Sequence, residues 1–120
     1  MKKLVLLLIM ALVNLLTSPA VFSADQFQPY EIKAGMSYYS NEYTTHNDIS
    51  SLGEEKNIEE VYQNYNYYEA IFDDQERIVI FNAYEKGLIE FSETYSYDGD
   101  GRLVKKVVNN PDGSESVIVF

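Results

Sequence analysis

The chain has 120 residues, no cysteine, a single histidine and a formal charge of −10. That length fits one small domain, and the absence of cysteine removes disulfides, thiolate metal sites and a lipid-attachment residue. The acidic balance repels phosphate, which excludes nucleic acid as a partner and disfavours anionic membrane surfaces.

The first element is a leader. Met1, Lys2 and Lys3 form a positive start, residues 4–16 are apolar apart from Asn14, and residues 17–24 are rich in small side chains. This succession is the secretory signal pattern, and its apolar run is short against the roughly 20 residues needed to span a bilayer. The favoured cut follows Ser23, with Val21 and Ser23 in the small-residue pockets; Ala20 and Ala24 are the neighbouring alternatives. Removing residues 1–23 takes away Lys2 and Lys3 but no acid, so the charge moves from −10 to −12. The mature protein is expected in the periplasm or outside the cell, with no stable membrane insertion.

After the leader, residues 24–60 read as an N-terminal strand region followed by a polar loop. Residues 30–33 and 36–39 are strand candidates separated by Gly35. Between residues 40 and 56, Asn41, Thr44, Thr45, His46, Asn47, Asp48, Ser50, Ser51 and Gly53 predict a loop. Ser51 and Glu54 have capping-box spacing, and Ile58, Val61, Tyr62 and Tyr65 fall at helical spacing, so a short helix near 54–62 competes with strand. From about Val61 the density of Tyr, Ile and Phe favours strand.

Residues 61–120 read as an antiparallel meander, forming one domain with the preceding segment. Turn signals stand at 73–76, 84–87, 98–101 and 110–113, three of them ending in glycine. A type I turn followed by a residue of positive φ joins hairpins of this kind. Asp98, Gly101, Arg102, Pro111 and Gly113 are the structural turn residues: Pro111 presets φ, and the glycines take the left-handed conformation. Segments 77–83, 88–97, 102–108 and 115–120 are rich in β-formers, and loops this tight join antiparallel neighbours. The fold class is therefore all-β, a single small domain with five to seven strands. The last segment, ending Val117-Ile118-Val119-Phe120, would be an open template at a sheet edge, to be buried by the N-terminal part, paired with a partner or closed into a barrel; burial beside the 30–39 strand is the favoured expectation.

The turns carry an internal repeat. Phe72-Asp73-Asp74-Gln75-Glu76-Arg77-Ile78-Val79 aligns with Tyr97-Asp98-Gly99-Asp100-Gly101-Arg102-Leu103-Val104 at an offset of 25 residues. A fixed period in this range marks a stacked supersecondary unit. The second copy, from Tyr95 through Leu103, resembles the YD repeat of the Rhs and teneurin proteins, whose pattern is tyrosine-aspartate, two or three residues, then glycine-arginine-leucine. The first copy departs from it, with Phe72 in place of tyrosine and Glu76 in place of glycine. Glu76 requires either a different turn or a strained backbone. The resemblance covers about 50 residues by its two copies and implies β-sheet scaffolding in an exported protein, without a catalytic centre; two copies enclose nothing. A MORN-type hairpin repeat is similar but has a slightly shorter usual period.

Candidate chemistry is sparse. His46 stands among polar residues with no nucleophile elbow around any serine, so it reads as a surface histidine. One histidine without cysteine does not make a zinc site. Asp98-Gly99-Asp100-Gly101 superficially resembles the start of a calcium loop, but Arg102, Leu103 and Val104 follow, and position twelve is Asn109 rather than glutamate. Glu54-Glu55, Glu59-Glu60 and Asp73-Asp74 are adjacent acids, which point to opposite faces of a strand and make no cross-cleft pair. No catalytic residue, metal or cofactor is predicted. The unusual enrichment is tyrosine, with eleven residues. Tyrosine suits interfaces, and Tyr38, Tyr39, Tyr65 and Tyr67 are the candidate contact surface if exposed. The sequence thus predicts an exported, non-enzymatic binding or structural module with a protein or glycan partner. The alternative is an inhibitor or immunity-type protein against a basic toxin or enzyme.

Overall fold

The computed structural model describes Phe27, Pro29 and residues 31–120, and the predicted signal peptide lies outside the described residues. In chain order the elements are β1 (Ser37–Ser40), β2 (Tyr43–His46), β3 (Ile49–Leu52), α1 (Ile58–Val61), β4 (Asn66–Phe72), β5 (Ile78–Glu85), β6 (Leu88–Tyr97), β7 (Leu103–Asn109) and β8 (Glu115–Val119). One antiparallel sheet has the order β1-β4-β5-β6-β7-β8, and β2 pairs with β3 as a separate hairpin. The expected all-β meander is the fold.

The turn chemistry explains the meander. At Asp73, Asp98 and Asn110 the backbone N–H donates to the carbonyl four residues on and the carbonyl accepts from the N–H three residues on, at 2.9–3.1 Å. Each loop thus has three residues, the last with positive φ: Glu76 (61°), Gly101 (83°) and Gly113 (83°). Asp73 and Asp98 also place Oδ1 2.9 Å from the N–H groups two and four residues on. The 25-residue repeat is therefore a repeat of backbone geometry. Glu76 keeps the turn of its glycine counterpart and bears the left-handed conformation with a side chain. The β5–β6 connection differs: Lys86 and Gly87, at φ 54° and 77°, form a two-residue turn.

One face of the sheet carries the core. Tyr38, Ala70, Phe72, Ile78, Phe81 and Tyr95 are buried there, joined by Leu52 from β3. Phe27 stacks on Phe72 with ring centroids 5.6 Å apart and meets Tyr38 edge-on at 5.9 Å. The β2–β3 hairpin rests its Tyr43 ring on Tyr68, Phe81 and Phe91, at 4.5, 5.4 and 6.4 Å.

Four expectations are corrected. Residues 31–33 are not a strand: Tyr38 Oη donates to the Glu31 carbonyl and accepts from the Lys33 N–H, engaging that backbone with a side chain. The polar run after Ser40 is not a loop but the β2–β3 hairpin. Asn47 and Asp48, at φ 50° and 68°, make its two-residue turn, and such residues tolerate left-handed backbone. The helix begins at Ile58 with Asn57 as its cap residue, so Ser51 and Glu54 do not cap it; strand begins at Asn66, not near Val61. The C-terminal strand is not buried beside residues 30–39: β8 pairs with β7 at the opposite margin of the sheet from β1. Consecutive tight turns order the strands by sequence from β4 to β8, so β8 ends farthest from β1.

Candidate functional site

The predicted contact tyrosines do not share one surface. Tyr38 and Tyr67 are only 7% and 5% exposed, which removes both as free contact residues. Period-two alternation sends Tyr38 into the core face and its neighbour Tyr39 to the other. Tyr67 stacks on Tyr84 across the β4–β5 ladder, centroids 4.7 Å apart. Tyr65 is exposed, but its hydroxyl donates to Glu85 at 2.7 Å, its carbonyl accepts from Lys86 N–H at 2.8 Å, and Lys86 Nζ lies 5.3 Å from its ring. It ties the start of β4 to the β5–β6 turn.

Tyr39, half-buried, belongs to a cluster centred on Glu69. Glu69 Oε1 accepts from Asn82 Nδ2 at 2.9 Å and Tyr84 Oη at 3.0 Å, and Oε2 accepts from Tyr39 Oη at 3.2 Å. Ser92 Oγ donates to Asn82 Oδ1 at 2.6 Å. Burial pushes the Glu69 carboxyl up, but donors from Ser37, Asn82, Tyr84 and Tyr39 outweigh it and hold the carboxyl below its ordinary range. Burial first, then the hydrogen bond to Glu69 and after it that carboxylate's charge, push the Tyr84 phenol well above its usual value. An ionised carboxylate that accepts from Tyr39, Asn82 and Tyr84 ties β1, β4 and β5 together on this face.

A second buried network lies on the core face. Glu93 Oε2 pairs with Lys106 Nζ at 3.0 Å, with side chains 8% and 11% exposed. Glu93 Oε1 accepts from Ser50 Oγ at 2.5 Å and Tyr95 Oη at 2.8 Å, and Tyr95 Oη accepts from the Ser50 N–H at 2.9 Å. Lys106 Nζ also donates to the Asp48 carbonyl at 2.9 Å. Burial, chiefly, raises the Tyr95 phenol well above its ordinary value. The network clamps the β2–β3 hairpin to β6 and β7. Sequence reading missed Glu69, Glu93, Ser50 and Lys106. A signal exists for one pair: the loop at Asp98 sets β6 against β7, Tyr95 opposite Lys106, and the diagonal neighbour Glu93 then shares its face.

The remaining predicted residues are structural. Asp98, Gly101, Pro111 and Gly113 sit in their turns. Arg102, exposed, makes no ion pair among the described residues, whereas Arg77 of the first copy pairs with Asp73 at 2.9 Å and lies 4.7 Å from the ring centroid of Tyr97 in the second copy. His46 is exposed on β2. Asp98 Oδ1 accepts backbone N–H groups, and among the described residues no group of His, Cys, Asp or Glu is placed to hold a metal ion.

Among the described residues, what stands open is the β8 edge of the sheet. Every residue of β8 is exposed, and Val117, Ile118, Val119 and Phe120 range from 41% to 75%. The Phe120 N–H reaches back to the Val104 carbonyl and the Ser114 carbonyl accepts from Asn110. By alternation the backbone groups of Ser116 and Ile118 also face β7, and those of Glu115, Val117 and Val119 face outward. The β7–β8 ladder runs without the register shift found in β4–β5, β5–β6 and β6–β7. Such a strand lacks the bulge, proline and lysine that ordinarily protect an edge.

Residues 33–120, which carry all eight strands, match a family model. The chain belongs to the DUF6156 family, a family of unknown function. No curated protein and no solved structure matches the chain. In this DUF6156 member the β8 edge is the surface that the described residues leave free.

Proposed function

We propose that the protein is an exported, non-enzymatic binding module that engages a protein partner by adding a strand at β8. The observation that carries this reading is the outward ladder of Glu115, Val117 and Val119 flanked by exposed apolar side chains. Main-chain hydrogen bonds give affinity in such a complex, and alternate side chains give specificity. The two buried carboxylates, Glu69 and Glu93, each accept from three side chains that hold strands or the β2–β3 hairpin in place, which supports a structural rather than a chemical role for them. The leader supports export, and the YD-like hairpins support a scaffolding role.

The test is affinity capture with the exported protein and its Val117→Pro variant, scored for every retained species including untagged copies of the chain itself. Proline removes one outward N–H and is tolerated at a strand edge. Edge-dependent capture is expected; an identical retained set for both proteins, or nothing retained by either, overturns the reading. The formal charge of −10 favours a second reading, an inhibitor or immunity-type protein against a basic toxin or enzyme. Its complex weakens as salt rises, and salt-independent binding removes it.

A further inference from the structure

We infer that the occupant of the β8 edge is a second copy of this chain, paired antiparallel about a two-fold axis at Val117; this rests on the binding reading above and names its partner.

The register follows from which groups face outward. Pairing Val117 with Val117 of the second copy sets Glu115 opposite the other Val119, and Val119 opposite the other Glu115. All three positions present outward N–H and C=O groups, so each pair exchanges two hydrogen bonds. Centring on Ile118 instead pairs Val117 only with the other Val119 and leaves Glu115 with no opposite residue in β8, so one outward pair is lost. Val117 is also the midpoint of Glu115–Val119, so this register engages the whole strand.

Side chains agree with it. On one face, Val107 lies opposite Val117 in the β7–β8 ladder, so the two-fold makes an unbroken row of Val107 and Val117 from one copy and Val117 and Val107 from the other. The next row on the same face holds Lys105, Val119, and then Glu115 of the second copy, because Lys105 lies opposite Val119. Both Lys105 and Glu115 are exposed, and their long side chains meet across the intervening valine. The only charge on β8 thus finds an opposite charge, twice by symmetry. On the other face Ile118 stands opposite Ser116, and no like charges oppose each other.

The opposite margin of the sheet explains why assembly stops at two. The outer side of the four-residue β1 is engaged at Tyr39, whose carbonyl accepts from Lys56 N–H at 2.8 Å in an isolated bridge, which leaves no continuous free ladder there. With one margin closed and one open, self-pairing is isologous and closes, whereas two open margins would propagate into a filament.

The experiment is light scattering on size-exclusion fractions of the exported protein at micromolar concentration, across a salt series. A dimer is expected, and its fraction rises with salt, because two chains of charge −10 or beyond repel one another. Val117→Lys puts two lysines face to face at the axis and weakens the dimer by about tenfold or more, with like charges directly opposite. Val117 is 52% exposed, so the variant keeps its thermal unfolding midpoint at low concentration. Lys105→Glu weakens the dimer, and adding Glu115→Lys restores it. A wild-type monomer at every salt, a dimer indifferent to Val117→Lys, or failure of the charge swap to rescue overturns the inference. A monomer that still captures another protein through β8 overturns self-pairing alone and leaves the binding reading standing.

Discussion

The two ends of the six-stranded sheet are built on opposite terms. Around β1, β4 and β5 one face is covered by Phe27 and the β2–β3 hairpin, and the outer margin of β1 is bridged by Lys56. Phe81 and Ala70 are wholly buried there. At β7 and β8 nothing among the described residues covers the sheet beyond Lys106, and β8 is exposed along its length. Both ends have strand-forming sequence and sound turns. What separates them is the hairpin that folds back over one end only. The stability of the domain therefore resides in the covered end, and beyond the Lys106 clamp on β7 the uncovered end is held by ladder and turns.

The largest test of that division is the clamp holding the hairpin down. Lys106→Met leaves Glu93 as a buried unpaired charge and is expected to cost about 3–5 kcal/mol in denaturant unfolding. Adding Glu93→Leu recovers much of that loss, which a double-mutant cycle measures. Next is Glu69, the polar centre on the other face: Glu69→Gln is expected to cost about 1.5–3 kcal/mol, because charged acceptors are lost to several donors. The sign of its pH dependence is fixed. Its folded pKa lies below the ordinary 4.5, so its contribution is present above that value and lost as pH falls through the folded pKa. Wild-type stability should fall on acidification below about pH 4.5 more steeply than that of Glu69→Gln. At the other extreme, Tyr95 and Tyr84 are raised from 10.0; their contribution is complete below pH 10 and lost on further alkalisation.

A smaller effect, of opposite sign, is expected at the first repeat turn. Glu76→Gly removes a side chain from left-handed backbone and should stabilise by up to about 1 kcal/mol. The smallest belongs to the bare end: Val119→Ser, at a position 75% exposed, should change monomer stability by less than about 0.5 kcal/mol. If Val119→Ser costs as much as Lys106→Met at a concentration where the protein is monomeric, the two ends are not distinct.

The C-terminal half was legible in the sequence because its information is local. Asp98 with Gly101, Asn110 with Gly113 and the repeat at Asp73 each determine a turn within five residues, and successive turns determine strand order. The N-terminal half was not, because its decisive contacts are distant. Thr44, Thr45, Ser50 and Ser51 look like a polar loop until Tyr43 and Leu52 are seen to meet the core face. Ser50 reaches Glu93 and Tyr95 more than forty positions away. The tyrosines misled for the same reason: alternation shows that Tyr38 and Tyr39 part company, but only tertiary packing shows that Tyr67 is covered.

The coupling of Arg77 to Tyr97 has a consequence for how such chains change length. The first hairpin unit lends Arg77 to the Tyr97 ring of the second, and Arg102 holds the equivalent place in the second unit. A tandem duplication of one 25-residue unit adds two strands, so the final strand would keep its direction and the faces would keep their order. Growth by whole units would leave β8 outermost with the same residues facing outward, which makes gain or loss of a repeat a small evolutionary step.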